Sequence, residues 1–100
     1  MGIKKNHIKG KKKGDVLLCG LSTCQWCRKT KELLSELGID YHYIDVDLVT
    51  GDDQKKLLEK ITKFNPRCSF PTVIIDEKDA IVGFEEDQIR ERFKYWKMMK

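Results

Sequence analysis

The sequence predicts an α/β domain in the order βαβαββα, a four-stranded mixed sheet flanked by three helices. Three observations carry this. Strand, helix and strand follow one another within about 30 residues from Val16, the spacing of a βαβ unit, so those two strands run parallel. Two later apolar runs, Val73–Ile75 and Ala80–Val82, are separated by only Asp76-Glu77-Lys78-Asp79, a link short enough to join antiparallel neighbours alone. The remaining long segments carry apolar residues at helical spacing.

Taken in order, Met1–Gly14 holds Lys4, Lys5, Lys9, Lys11, Lys12 and Lys13, no acid and no hydrophobic period. It is expected to be a disordered basic tail, and residues 15–100 the folded domain, so that deleting the tail leaves folding intact. Val16-Leu17-Leu18-Cys19 is continuously apolar and suits a central strand buried on both faces. A loop follows, with Thr23 as the expected N-cap of a helix from Gln25 to Leu37. Trp26, Leu33, Leu34 and Leu37 form its stripe, and Gly38 stops it. Tyr41–Asp47 alternates and is rich in strand formers. Gly51-Asp52-Asp53 opens a second helix with Leu57, Leu58, Ile61 and Phe64 on one side, and Asn65-Pro66 ends it. After the two antiparallel strands, a helix from about Glu86 to Met98 places Ile89, Phe93 and Trp96 in the core.

Composition narrows the function. With 40% hydrophobic residues in 100, the chain forms one small core and is not a disordered protein. Its longest apolar run, Val16–Cys19, is far too short to span a bilayer. The whole-chain charge is +4, but the tail's six lysines leave −2 on the remaining residues. The domain is therefore mildly acidic, which excludes a basic nucleic-acid-binding surface. No apolar segment follows the basic start as a secretory signal requires, and Asn6 stands where a myristoylation motif needs Ser or Thr. The expected protein is cytoplasmic and monomeric, with neither membrane nor nucleic acid as partner. In that compartment cysteines stay reduced unless they are catalytic or metal-bound, so Cys19, Cys24, Cys27 and Cys68 require an explanation.

Cys24-Gln25-Trp26-Cys27 lies where the loop after the first strand enters the first helix. Residues three apart on a first helical turn bring two sulfurs within bonding reach. The free amides and positive dipole end of the helix favour a thiolate there, and a thiolate attacks disulfides. Cys24, at the helix entrance, is the expected nucleophile. Cys27, one turn inside, is the expected resolving thiol.

With these residues in place the chain resembles the glutaredoxin and thioredoxin-like redoxins over about Asp15–Lys97. Besides the cysteine pair, the resemblance rests on Ser69-Phe70-Pro71-Thr72 before the third strand and on Gly83-Phe84 after the fourth. It implies a thioredoxin-like (glutaredoxin) fold, a cis bond at Pro71, and a substrate surface made by Thr23, Gln25, Trp26, Phe70, Pro71, Gly83 and Phe84. The backbone edge at Phe70 would pair with an extended substrate segment. Glutaredoxins that use glutathione carry a lysine where this chain has Leu21. They also carry a Gly-Gly-polar-Asp segment where it reads Val82-Gly83-Phe84-Glu85. Gly83-Phe84 followed by Asp87 instead resembles the glutaredoxin-like electron donors of ribonucleotide reductase, the NrdH-type redoxins. That resemblance implies a protein disulfide substrate, such as ribonucleotide reductase, and a donor like thioredoxin reductase, with no cofactor and no metal. The alternative is a glutathione-dependent glutaredoxin.

A different chemistry also fits the cysteine count. Cys19-x4-Cys24-x2-Cys27 with a distant Cys68 matches a plant-type iron–sulfur spacing, and the same thiols suit zinc. The strand position of Cys19 and the helix after Cys27 favour the redoxin. Trp26 is read as an apolar platform for a partner or as packing at the domain edge. Arg28 and Lys29 are read as a solvated helix face. His7 and His42 are read as a tail residue and a strand side chain.

Overall fold

The structure, a computed structural model, describes residues 5–11 and 14–94. Its elements in chain order are β1 (Asn6–Ile8), β2 (Val16–Gly20), α1 (Gln25–Glu36), β3 (Tyr41–Asp45), a 3-10 turn (Val46–Leu48), α2 (Gly51–Phe64), β4 (Thr72–Ile75), β5 (Asp79–Val82) and α3 (Glu86–Phe93). The strands make one sheet in the order β1-β3-β2-β4-β5. β2 and β3 are parallel, with Leu17 opposite His42 and Gly20 opposite Asp45. The other three pairings are antiparallel. The βαβ unit and the β4–β5 hairpin are thus as the sequence predicts.

Strand alternation divides the core in two. Val16 and Leu18 of β2 and Val73 and Ile75 of β4 face one side, where they pack with Leu33 and Leu34 of α1 and with Ile89 and Phe93 of α3. Cys19, Ile44 and Ile74 face the other side and pack with Leu57 and Ile61 of α2. Each side chain of Leu or Ile size so enclosed stabilises the fold by roughly 1.5–3 kcal/mol of transfer free energy. Because both faces are covered, β2 and β4 read as unbroken apolar runs rather than alternating ones.

Helix α1 ends as its sequence requires. Gly38 takes the left-handed backbone (φ 72°). Its N–H donates to Ser35 O at 3.0 Å, and the N–H of Ile39 reaches back to Leu34 O at 3.2 Å. This paired motif satisfies the last carbonyls, and Ile39 and Leu34 meet in the same core cluster. Among the described residues no helix is long and apolar enough to cross a membrane.

Two expectations are corrected among the described residues. The sheet has five strands rather than four, because the tail expected to be disordered supplies β1, with Asn6, His7 and Ile8 opposite Tyr43, His42 and Tyr41. Its lysine-rich composition hid the alternation: His7 stands out from Asn6 and Ile8, which are half-buried, and Ile8 packs against the core. Beyond it, Lys11 exchanges backbone hydrogen bonds with Gly38 and Asp40 at 2.8 and 3.1 Å. The strand expected over Tyr41–Asp47 stops at Asp45, where the chain winds into the 3-10 turn. The last helix runs Glu86–Phe93 as described, with Ile89 and Phe93 buried. Trp96 and Met98 lie outside the described residues.

Removing residues 1–10 is therefore expected to destabilise the domain rather than leave it unchanged. It takes away the β1 ladder, Ile8, and the His7 ring that bonds the carboxylate of Asp40 at 2.9 Å. A loss of about 1–3 kcal/mol is expected. For a domain this size it lowers the thermal midpoint by about 4–8 °C per kcal/mol. Calorimetry of the truncated chain checks it, and an unchanged midpoint would show that β1 contributes nothing.

Candidate active site

The site begins where β2 stops. After Gly20 the chain turns at once: the N–H of Cys24 donates to Leu21 O at 3.2 Å. The turn is pinned from the 3-10 segment, because Ser22 gives its N–H and its hydroxyl to the two carboxylate oxygens of Asp47 at 2.8 and 2.5 Å. Those bonds, the hydroxyl one foremost, hold the Asp47 carboxyl below the usual carboxylate range.

The N-cap of α1 is Cys24, not Thr23. The turn that closes on Cys24 leaves its backbone extended (φ −83°, ψ 119°). Its sulfur then takes the amide that a capping oxygen would take, the N–H of Cys27 at 3.2 Å. Thr23 is one residue too early and is exposed. The Cys24 sulfur therefore sits at the positive end of a 12-residue helix with no acidic side chain in its first turn. Cys27 is the opposite case. It is 1% exposed, and burial, reinforced by its hydrogen bond with Cys24, pushes its thiol up to about 12. The two sulfurs thus differ in access, Cys24 half-buried at the helix entrance and Cys27 enclosed.

Gly20 makes room for this arrangement. A Cβ there would lie 2.9 Å from the Cys27 sulfur and 3.0 Å from its Cβ. Since Gly20 is the last residue of a buried strand, the thiol occupies the volume that a side chain on β2 would fill. No signal of composition or period marks this glycine.

The other predicted residues converge on the same end of the sheet. Cys19 is opposite Thr72 and Thr72 is opposite Val82, which sets the segments around Cys24, Pro71 and Gly83 side by side. The Phe70–Pro71 bond is cis, as the resemblance implies. The N–H of Gly83 donates to Pro71 O at 2.7 Å. Trp26, 54% exposed, stacks on Phe84 with ring centroids 5.7 Å apart. Lys29 Nζ lies 4.9 Å from the Trp26 ring. Gln25 is exposed, Phe70 half-buried and Pro71 buried. An aromatic pair therefore borders the dithiol, with the Pro71 segment beside it.

Asn65 is a positioning residue that the sequence did not disclose. Read there only as part of a helix stop, it is buried, and its Nδ2 lies 3.0–3.1 Å from Ser69 O, Ser69 Oγ and Thr72 Oγ1. Its Oδ1 accepts the Arg67 N–H at 3.2 Å. One amide thus holds the loop that delivers Phe70 and Pro71.

Cys19 and Cys68 do not join the pair. Cys19 faces α2, on the side of the sheet away from Cys27, and burial pushes its thiol up to about 12. Cys68 packs on that same cluster from a left-handed backbone (φ 50°). Four thiols split between two faces do not form the ligand set of a single cluster or zinc ion.

Comparison with known proteins agrees with this geometry. Residues 16–80 match the sequence model of the glutaredoxin family. The chain is 37% identical over 67 residues to a glutaredoxin-like 8.6 kDa protein in the rubredoxin operon of Clostridium pasteurianum, covering 67% of this chain and 81% of that one. It is similar in structure to the glutaredoxin of Methanosarcina mazei Go1 (TM-score 0.84, 48% identity, 89% of this chain and 86% of that one). It is also similar to the methanoredoxin of Methanosarcina acetivorans (TM-score 0.79, 48% identity, 82% and 86%).

Gly20→Ala is expected to overpack the site by about 1–3 kcal/mol, because strand backbone and a buried sulfur have little freedom to separate. Urea unfolding should show the loss, and Cys27 should become easier to alkylate as it is displaced. Wild-type stability together with wild-type Cys27 protection would contradict the close approach.

Proposed function

The chain belongs to the glutaredoxin family of thiol–disulfide oxidoreductases, and we propose that it reduces protein disulfides through Cys24 and Cys27. The observation that supports this most is the placement of the Cys24 sulfur as the cap of α1, accepting the amide of a buried partner thiol. The Cys24 thiolate attacks one sulfur of the substrate disulfide. That S–S bond breaks, a mixed disulfide forms, and the departing sulfur takes up a proton. Cys27 then loses its proton and attacks the Cys24 sulfur. The second substrate thiol is released and the Cys24–Cys27 disulfide holds the two electrons' worth of oxidation. A reductase returns the dithiol. The raised pKa of Cys27 suits its place in this order, since it stays protonated while Cys24 reacts.

The partner chemistry is read from the surface. Trp26 and Phe84 offer apolar contact, and the Phe70 backbone offers a strand edge to an extended peptide. Ribonucleotide reductase is one protein substrate of this kind, and a reducing compartment such as the cytoplasm is the matching location. For glutathione the surface offers less. Leu21, in the position of the family's lysine, packs into the α2-side core, and Glu85 is exposed beside Gly83 and Phe84. Each charge-assisted hydrogen bond so lost weakens binding by about 1.5–3 kcal/mol.

Alkylation tests the roles. At near-neutral pH, iodoacetamide should label Cys24 first. Labelling of Cys27 should rise only in strongly alkaline solution, because a thiol with its pKa pushed up to about 12 supplies almost no thiolate below that range. Cys24→Ser should abolish disulfide reduction, and Cys27→Ser should accumulate a mixed disulfide visible by mass spectrometry. Faster labelling of Cys27 at neutral pH would reverse the assignment.

Recycling of the oxidised protein tests the donor. A thioredoxin-reductase-type enzyme should reduce it at least about 100-fold faster than millimolar glutathione, from two missing charge-assisted contacts. Equal or faster turnover with glutathione and glutathione reductase would make the chain a glutathione-dependent glutaredoxin.

A further inference from the structure

The N-terminal strand builds a second cluster of ligating side chains, remote from the thiols. His7 and His42 are directly opposite in the antiparallel β1–β3 pair. Residues so placed share a face, and their rings stack with centroids 4.4 Å apart and planes within 10°. Asp40, two residues before His42, points to that same face. His7 Nε2 lies 2.9 and 3.0 Å from its two carboxylate oxygens. One ligating atom from each of the three residues lies within 4.8 Å of the others. Asp40 is only 8% exposed, and the Gly10 N–H fixes it further at 3.3 Å. The His7 side chain, 41% exposed, leaves the cluster open to solvent.

We propose that His7, Asp40 and His42 bind a divalent transition-metal ion of the zinc class, through two imidazole nitrogens and one carboxylate, with water completing the shell. Two imidazoles and a carboxylate are a recurrent ligand set for such ions. Donor atoms around tetrahedral zinc stand about 3.3–3.6 Å apart, given bonds of about 2.0–2.2 Å. The cluster therefore closes by side-chain rotation of an ångström or so. Binding through His7 Nε2 requires that nitrogen unprotonated, so a proton held there moves to Nδ1 of the same ring or to solvent. The adjoining cavity of about 170 Å³ brings Lys5 and Lys60 as well as Asp15 and Glu77 beside His42. Negative charge therefore does not dominate there, and imidazole ligation sets the selectivity. Magnesium and calcium, which seek oxygen cages, are not expected to bind. His42 lies three residues before Asp45, the partner of Gly20, so the ion clamps β1 to β3 at the end of the sheet away from the dithiol.

Zinc titration calorimetry on the full chain carrying Cys24→Ser and Cys27→Ser, which removes the competing dithiol, tests this. One zinc ion per chain is expected, with affinity lowered about tenfold or more by His7→Gln and by His42→Gln, and with no magnesium binding under the same conditions. The chain has two histidines, so both imidazole resonances of that Cys24→Ser, Cys27→Ser chain, with both histidines kept, can be followed by NMR. They should shift together up to one equivalent of zinc, a readout that holds even where a variant fails to fold. Unshifted imidazole resonances, or zinc affinity unchanged in both histidine variants, would overturn the site.

Discussion

The parallel pairing of β2 with β3 governs this molecule. Parallel neighbours cannot be joined by a tight turn, so the chain must leave the carboxyl end of β2, cross over as α1 and return. That crossover places a helix N-terminus, with its unpaired amides, against the end of a buried strand. The site is built at this junction. Cys24 caps the helix, Cys27 lies one turn in against Gly20, and the same end of the sheet receives the Pro71 and Gly83 segments through the pairings of β4.

From that junction the two thiols acquire different surroundings. Helix amides and partial exposure act on Cys24. Enclosure under β2 acts on Cys27 and raises its pKa. The rest of the site is support. Asp47 pins the loop before Cys24, and Asn65 holds the loop before Pro71. Both are polar groups reaching between segments, and each spends its hydrogen bonds on backbone or hydroxyl groups that shape a turn. Cys19 is equally buried but faces α2, on the side of the sheet away from the dithiol.

The opposite edge of the sheet has its own organisation. β3 would be an exposed edge if the sheet began with it, and β1 covers it. A strand of three residues adds little apolar area. Its hold comes from the ladder, from Ile8, and from the His7 and Asp40 bond on a carboxylate that is nearly enclosed. The lysine-rich segment thus has a structured part set against the sheet.

The sequence by itself determined whatever follows from local period and chemistry. The βαβ unit follows from an apolar run, a helical stripe ended by Gly38, and an alternating run. The hairpin follows from a link of four polar residues. The dithiol follows from two cysteines spaced by one helical turn at a strand-to-helix junction. Only the tertiary structure decided matters set by what lies across space. The cap is Cys24 rather than Thr23 because a turn closes on Leu21. Gly20 is required because Cys27 fills its side-chain volume. Asn65 is a brace because Thr72 is paired into the sheet beside it. The lysine-rich tail yields a strand because β3 offers an unpaired edge. A ladder partner is contributed by another segment, and no composition or periodicity within Asn6–Ile8 encodes the edge that receives it.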